Sequence, residues 1–241
     1  MLLIIDKYIP FVKETIGQTV LPDWQQVQVS ALEPEEITPQ AVRNADALMV
    51  RTRTKINREL LEGSSVRLVA TATIGYDHID QDYCRKTGIA WLSCPGCNAQ
   101  AVCDYIEEAL LEQKIPLNAK KIGIVGVGHV GTLVAQMAER YGMQVLLNDP
   151  PRNIGVSLDE IAHNCDVITF HTPLTRDGQY PTYHLCDEAF LQQCKPEALI
   201  INAARGGIVD EMALLRTKHP CVIDTWENEP RLNRDLLQVA Q

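Results

Sequence analysis

No stretch of this sequence approaches the roughly 18 apolar residues that a membrane-spanning helix needs, so nothing in it predicts a span. Met1 leads straight into Leu2-Leu3-Ile4-Ile5-Asp6, with neither the basic start nor the small-residue cleavage site of a secretory leader. That opening reads as a buried strand of a cytoplasmic protein. Positive charge is not in excess either: 22 Lys and Arg stand against 31 Asp and Glu, a formal net charge of -9. Neutralising a nucleic-acid backbone takes a concentrated basic field, so this balance argues against such a partner while leaving room for local basic groups that hold a small anion. Repeats and low-complexity linkers are absent too. With 22% charged and 46% apolar residues, the composition is that of a folded globular protein and not of a disordered chain.

Eight cysteines are present, at 84, 94, 97, 103, 165, 186, 194 and 221. Most sit inside apolar segments, where a reduced thiol behaves as a small hydrophobe, and disulfides are not expected. Cys94-Pro95-Gly96-Cys97 has redox or zinc-like spacing, but no second pair at ligand spacing accompanies it, so no metal is predicted.

At 241 residues the chain is long enough for two domains. Short apolar runs alternate with helical patterns from end to end, the βαβ signature of doubly wound parallel sheets. Strands are predicted near Leu2–Asp6, Val27–Ala31, Ala47–Val50, Arg67–Thr73 and Ile89–Ser93, with helices between them. Ala101, Val102, Tyr105, Ile106, Ala109 and Leu110 then recur at helical spacing, giving a connector helix over Asn98–Gln113. Further strands follow near Lys121–Val125, Gln144–Asn148, Val167–Phe170, Ala198–Asn202 and Cys221–Thr225. The expected architecture is α/β, with a flavodoxin-like substrate domain over 1–94 and a Rossmann domain over 95–241, and an active site in the cleft they share.

Ile122-Gly123-Ile124-Val125 reads as a buried strand, and Gly126-Val127-Gly128-His129-Val130-Gly131 follows at once and opens a helix running to about Tyr141. In that context G-x-G-x-x-G is a dinucleotide fingerprint. Gly126 permits the tight turn, Gly128 lets the pyrophosphate approach the backbone, and Gly131 packs the helix on the strand, with His129 and Val130 at the helix start where amides favour anions. Asp149 ends the next strand, where a carboxylate accepts ribose hydroxyls and repels a 2′-phosphate, so NAD is expected over NADP.

Three later strand ends carry chemistry-bearing residues. Ile200-Ile201-Asn202-Ala203-Ala204-Arg205-Gly206-Gly207 places an arginine just beyond an apolar strand, flanked by glycines that clear space. A cation there can hold a carboxylate and polarise a C–O bond, while the structural alternative is a surface ion pair. Asp224-Thr225-Trp226-Glu227-Asn228-Glu229 supplies three carboxylates: Asp224 placed for the nicotinamide side, Glu229 to pair with an imidazole base, and Glu227 as a solvated charge. In Phe170-His171-Thr172-Pro173-Leu174, Thr172 is a cofactor contact, and His171 is weighed as a base against the commoner role of a hydrogen-bonded structural histidine.

In the order of these motifs the chain resembles the D-2-hydroxyacid dehydrogenases. Ala47-Leu48-Met49-Val50-Arg51-Thr52, Thr71-Ala72-Thr73, Pro95-Gly96-Cys97-Asn98-Ala99, Asp149-Pro150-Pro151-Arg152 and Thr169–Leu174 narrow the resemblance to the branch acting on a phosphorylated 2-hydroxy acid. The resemblance covers essentially the whole chain. It implies Arg205 as the catalytic arginine and Glu229 as the partner of a catalytic histidine. It implies NAD held by Gly126, Gly128, His129, Val130, Gly131, Asp149, Thr172, Ala203 and Asp224, and substrate held by Arg51, Thr52, Thr73 and the turn at Gly75. Arg53 and Lys55 are either part of a phosphate site or a solvated patch.

The resemblance further implies a catalytic histidine on a strand after Glu229, a return helix, a C-terminal dimerisation domain and a homodimer. None of the six histidines, at 78, 129, 163, 171, 184 and 219, follows Glu229, so the sequence reads as a C-terminally truncated form. Loss of a general base removes about two to four decades of rate, which predicts a poor enzyme. The alternatives are another D-2-hydroxyacid dehydrogenase with an unphosphorylated substrate, and a catalytically silent NAD-binding sensor.

Overall fold

The computed structural model describes residues 1–10, 27–114, 116–229, 232 and 234–236. The chain divides into two compact units, Met1–Cys97 and Asn98–Gln241.

In the first unit, strands β1 (Leu2–Asp6), β2 (Gln28–Leu32), β3 (Ala47–Val50), β4 (Leu68–Thr71) and β5 (Ala90–Leu92) lie in the order β2-β1-β3-β4-β5, all parallel. This is the flavodoxin-like order, in which ligands bind beyond the carboxyl ends of the strands where the winding reverses. Side chains alternate across the sheet: Ile4 and Leu48 join Leu60 and Val69 in one core, while Leu3, Ile5 and Ala47 face the other side. Three short helices are described, α1 (Pro39–Val42), α2 (Arg58–Leu61) and α3 (Gln81–Thr87). The side chains of Thr38, Asn57 and Asp80 start them, each accepting a first-turn amide that would otherwise be unsatisfied. The helix expected between the first two strands falls on residues 11–26, outside the described residues.

The second unit opens with α4 (Ala99–Glu112), within the predicted connector helix. It continues through β6 (Lys121–Val125), α5 (His129–Arg140), β7 (Gln144–Asp149), β8 (Ile154–Gly155), α6 (Leu158–Asn164) and β9 (Val167–Phe170). It then runs through α7 (Glu188–Gln193), β10 (Leu199–Asn202), α8 (Glu211–Thr217) and β11 (Cys221–Ile223). The sheet order is β11-β10-β9-β6-β7-β8, and only the two-residue β8 is antiparallel. Winding reverses between β6 and β9, which are paired from Ile122↔Val167 to Val125↔Phe170. Both faces are covered. Ile168 and Ile200 pack under α6, α7 and α8, whereas Ile122, Ile124, Val167 and Ile201 pack under α4 and α5. At about 2 kcal/mol for each fully buried aliphatic side chain, these central strands dominate the stability of the unit and leave the loops beyond their carboxyl ends for binding.

Candidate functional site

The loop between β6 and α5 separates the three glycine roles by geometry. Gly126 has φ +94°, and a β-carbon there would lie 2.8 Å from the backbone of His171. At Gly131 a β-carbon would lie 2.0 Å from the Gly126 carbonyl oxygen, so the helix closes on the turn only with glycine at that position. Gly128 differs, with nothing within 4 Å of an added β-carbon. Its bareness serves something outside the protein's own packing. It N-caps α5 without a side-chain cap, and no acidic residue occupies the first turn, so the leading amides of a 12-residue helix are presented to an anion. His129, exposed, and Val130, half-buried, are the first two helical residues.

A cavity of about 990 Å³ opens beside this turn, lined among others by Gly126, Gly128, Asp149, Arg152, His171 and Thr172. Asp149 is buried at the end of β7, and its Oδ2 accepts the Val127 amide at 2.9 Å, which pins the carboxylate against the glycine turn. Arg152 donates from Nη1 to the Val127 carbonyl. Sequence reasoning gave Arg152 no role, although it follows Asp149-Pro150-Pro151 directly. Thr172 Oγ1 is buried and finds no hydrogen-bond partner among the described residues. An orphaned buried hydroxyl costs roughly 1–3 kcal/mol, a cost relieved when a ligand supplies the partner. The cavity, the bare Gly128, the buried carboxylate and the waiting hydroxyl together fit a dinucleotide. His171 is half-buried, its Nε2 is 3.0 Å from Thr169 Oγ1, and burial pushes its imidazole down to about 4. It is neutral at neutral pH and hydrogen-bonded within its own strand end, the structural role.

Beyond β10, Asn202 folds the loop: its Nδ2 donates to the Arg205 carbonyl at 2.9 Å and its Oδ1 accepts the Ala204 amide at 3.2 Å. Ala203 and Arg205 are half-buried there, and Arg205 Nη1 donates to the Ala204 carbonyl at 2.7 Å. Of the two neighbouring glycines, Gly206 does not clear space as expected. A β-carbon on Gly206 would lie 2.0 Å from the Trp226 carbonyl oxygen, so Gly206 lets the loops after β10 and β11 touch. On the β11 loop, burial and then the charge of Glu229 raise the Asp224 carboxyl. Glu229 is exposed, and its Oε1 accepts the Trp226 amide at 2.8 Å. Thr225 Oγ1 is a second orphaned hydroxyl among the described residues, unforeseen from sequence.

The carboxylate found against an imidazole here is Glu227, which corrects its reading as a solvated charge. Both its oxygens lie 3.2 Å from His184 Nε2, and Tyr183 donates its hydroxyl to Oε1 at 3.2 Å. The rings of Tyr183 and His184 stack at 3.9 Å, and the Arg176 guanidinium covers Tyr183 at 3.7 Å. His184 donates its amide to the Gly207 carbonyl at 2.7 Å, and Glu227 donates its own to Glu211 Oε1 at 2.5 Å. This network ties three loops beyond the sheet's carboxyl edge into one platform carrying Arg205, Asp224 and Glu229. No local pattern could have announced it, because the partners are far apart in sequence.

In the first unit, Arg51 and Thr52 are exposed just beyond β3, and Thr73 and Gly75 are half-buried just beyond β4. The two loops remain paired: Ile56 donates to the His78 carbonyl, and Asp80 to the Ile56 carbonyl, each at 2.8 Å. Thr73 Oγ1 donates to the Gly75 carbonyl at 2.8 Å and lies 2.7 Å from Thr71 Oγ1, which in turn is 3.0 Å from His78 Nε2. The cationic loop and the hydroxyl-lined turn thus follow neighbouring strands at the sheet's carboxyl ends, with Arg51 Nη1 donating to the Tyr8 carbonyl at 3.5 Å, and such cationic and hydroxyl groups can hold a small anion. His78 was not anticipated; its signal was only its place after the Gly75 turn.

Comparison with known proteins agrees with this geometry. The D-isomer specific 2-hydroxyacid dehydrogenase, NAD binding domain, matches residues 103–241. Erythronate-4-phosphate dehydrogenase of Bacteroides thetaiotaomicron is 45% identical over 99% of this chain, which spans 71% of that relative. The enzyme of that name from Hydrogenovibrio crunogenus is 42% identical over 99% of this chain and 64% of its own length. Among solved structures, NAD+-bound 3-phosphoglycerate dehydrogenase of Entamoeba histolytica superposes with a TM-score of 0.84 at 24% identity, covering 100% of this chain and 85% of that one. For D-lactate dehydrogenase of Aquifex aeolicus with NAD and lactic acid the values are 0.76 and 24%, covering 99% and 84%. These structures share the fold. Among the described residues no helix is long and apolar enough to cross a membrane. With the glycine turn, the buried carboxylate and the strand-end arginine in one unit, and relatives at this identity along its whole length, the chain belongs to the D-isomer specific 2-hydroxyacid dehydrogenases and is an NAD-dependent oxidoreductase of a small 2-hydroxy acid.

Proposed function

We propose that the protein oxidises 4-phospho-D-erythronate to 2-oxo-3-hydroxy-4-phosphobutanoate, a cytoplasmic step toward pyridoxal 5′-phosphate, as a homodimer. The observation that carries this reading is the cationic loop at Arg51–Lys55, which follows the strand next to that of Thr73 and Gly75, in a chain 45% identical to erythronate-4-phosphate dehydrogenases. Eight free cysteines support a reducing compartment.

When bound, NAD supplies the hydride acceptor. Gly128 and the α5 amides, with His129 and Val130, hold its pyrophosphate, and Gly126 and Gly131 keep that turn closed. Asp149 takes the ribose hydroxyls and disfavours a 2′-phosphate, while Thr172, Ala203 and Asp224 meet the remainder. Arg205 holds the substrate carboxylate and polarises C2–O, which lowers the barrier by stabilising charge as it develops. Glu229 is the carboxylate that would orient an imidazole base for the hydroxyl proton, a base the family resemblance puts on a later strand. Thr52, Thr73, Arg51 and the Gly75 turn hold the substrate.

Calorimetric titration with 4-phospho-D-erythronate and with unphosphorylated D-erythronate, both in the presence of NAD, tests the reading without depending on proton transfer; NADH formation is the direct companion readout. The phosphorylated acid is expected to bind at least about tenfold tighter, with Arg51→Ala and Thr52→Ala each erasing most of that margin. Equal binding of both acids would assign the protein to an unphosphorylated 2-hydroxy acid instead.

A further inference from the structure

Two of the eight cysteines stand apart. Cys94 and Cys97 are exposed, whereas Cys84, Cys103, Cys165, Cys186, Cys194 and Cys221 are buried. Burial also pushes the inner thiols up, Cys165 and Cys221 to about 11 and Cys194 to about 12, which keeps them protonated and unreactive.

The exposed pair brackets Pro95 and Gly96. Cys97 donates its amide to the Cys94 carbonyl at 3.2 Å, closing a four-residue turn, and Gly96 carries φ +80° at its third position. Proline second and a positive-φ glycine third define a type II turn, which brings its end α-carbons within about 7 Å. Disulfides span roughly 4.4–6.8 Å between α-carbons, so the turn brings the two α-carbons to a separation that a disulfide can bridge. The turn is also tied to the proposed substrate loop, because the Cys94 amide donates to the Thr73 carbonyl at 3.4 Å. Among the described residues no group of three or more His, Cys, Asp or Glu is arranged to hold a metal, so geometry favours thiol chemistry over a metal site.

We propose that Cys94 and Cys97 form a reversible intramolecular disulfide, a redox-modification site whose co-substrate is a small-molecule disulfide. The first thiolate attacks the reagent, breaking its S–S bond, releasing one thiol and leaving a mixed disulfide on the protein. The second cysteine then displaces the other half as a second thiol. The protein loses two hydrogens and two electrons, and the reagent gains both. A bond closing so small a loop and exposed to solvent is gained and lost easily, which suits a reversible modification.

The test treats the native, fully reduced chain with oxidised glutathione and follows intact mass and accessible thiols, with peptide mapping afterwards. Both accessible thiols are expected to disappear together, the mass to fall by two hydrogens, and the 94–97 peptide to carry the link, with dithiothreitol reversing all three. Cys94→Ser and Cys97→Ser should each retain a glutathione adduct instead. Two independent glutathione adducts on the wild type, a covalent dimer, or no change at either thiol would overturn the proposal. The readout uses no substrate and no NAD, so it fails or succeeds independently of the function proposed above.

Discussion

In the second unit the proposed binding apparatus is mainly backbone: a glycine turn, the amides of α5, and strand ends whose side chains are pinned by neighbouring amides. In the first unit it is mainly side chains on loops, with Arg51 and Thr52 exposed beyond β3 and Thr73 set in a hydroxyl chain beyond β4. The contrast fits what each would recognise under the proposed function. A dinucleotide offers a pyrophosphate and a ribose, which backbone geometry and one carboxylate can meet; a small acid must be distinguished by individual charged and hydroxyl groups.

The sharpest way to break that comparison lies within the glycine turn. Gly131→Ala is expected to lower stability by about 1–3 kcal/mol or more and to abolish NADH binding, because its β-carbon would fall 2.0 Å from the Gly126 carbonyl oxygen. Gly128→Ala should leave the melting temperature nearly unchanged and still weaken NADH binding at least about tenfold. Parallel losses of stability in both variants, followed by thermal melts and fluorescence titration, would remove the distinction between a packing glycine and a ligand glycine.

Acid should act on the second unit through His171. Its pKa is lowered from 6.5 to about 4, so between those values the unfolded chain binds a proton that the folded chain refuses. Stability contributed by the neutral imidazole is therefore fully present above about pH 6.5 and declines as pH falls toward 4, by up to roughly 3 kcal/mol. Urea unfolding of the wild type and His171→Asn across that window should show a steeper acid loss in the wild type; identical slopes would contradict the burial argument. Glu227→Ala, which strips His184 and Tyr183 of their shared acceptor, is expected to cost about 1–3 kcal/mol and to raise hydrogen exchange in the loops after β10 and β11. A solvated Glu227 would give no change in either. The smallest effect is expected from Thr172→Val: stability equal or slightly higher, with NADH binding weakened by about fivefold, as for one hydrogen bond.

How much of this was legible in sequence depended on how local the signal was. The connector helix was predicted over Asn98–Gln113 and spans Ala99–Glu112, with those two residues as its caps, because an amphipathic repeat is a short-range pattern. Strand β2, expected at Val27–Ala31, is Gln28–Leu32; on a sheet edge its half-buried residues give little alternation to fix the register. The sequence pattern extends the last strand to Thr225, but pairing stops at Asn202↔Ile223, where the Asn202 side chain folds the adjoining loop. The antiparallel β8 is two residues long and left no periodicity to read. At the site, the glycine turn and Asp149 could be placed because turn chemistry is local. The pairing of Glu227 with His184 and the contact of Gly206 with Trp226 depend on loops meeting only after the sheet has formed.

The most direct test of the central assignment is a fluorescence titration of the chain with NADH and with NADPH, repeated on Asp149→Ala. The account predicts NADH bound at least about tenfold more tightly than NADPH, with the preference largely lost in the variant, since the carboxylate both accepts the ribose hydroxyls and repels a 2′-phosphate. NADPH bound as tightly as NADH by the wild type would contradict it.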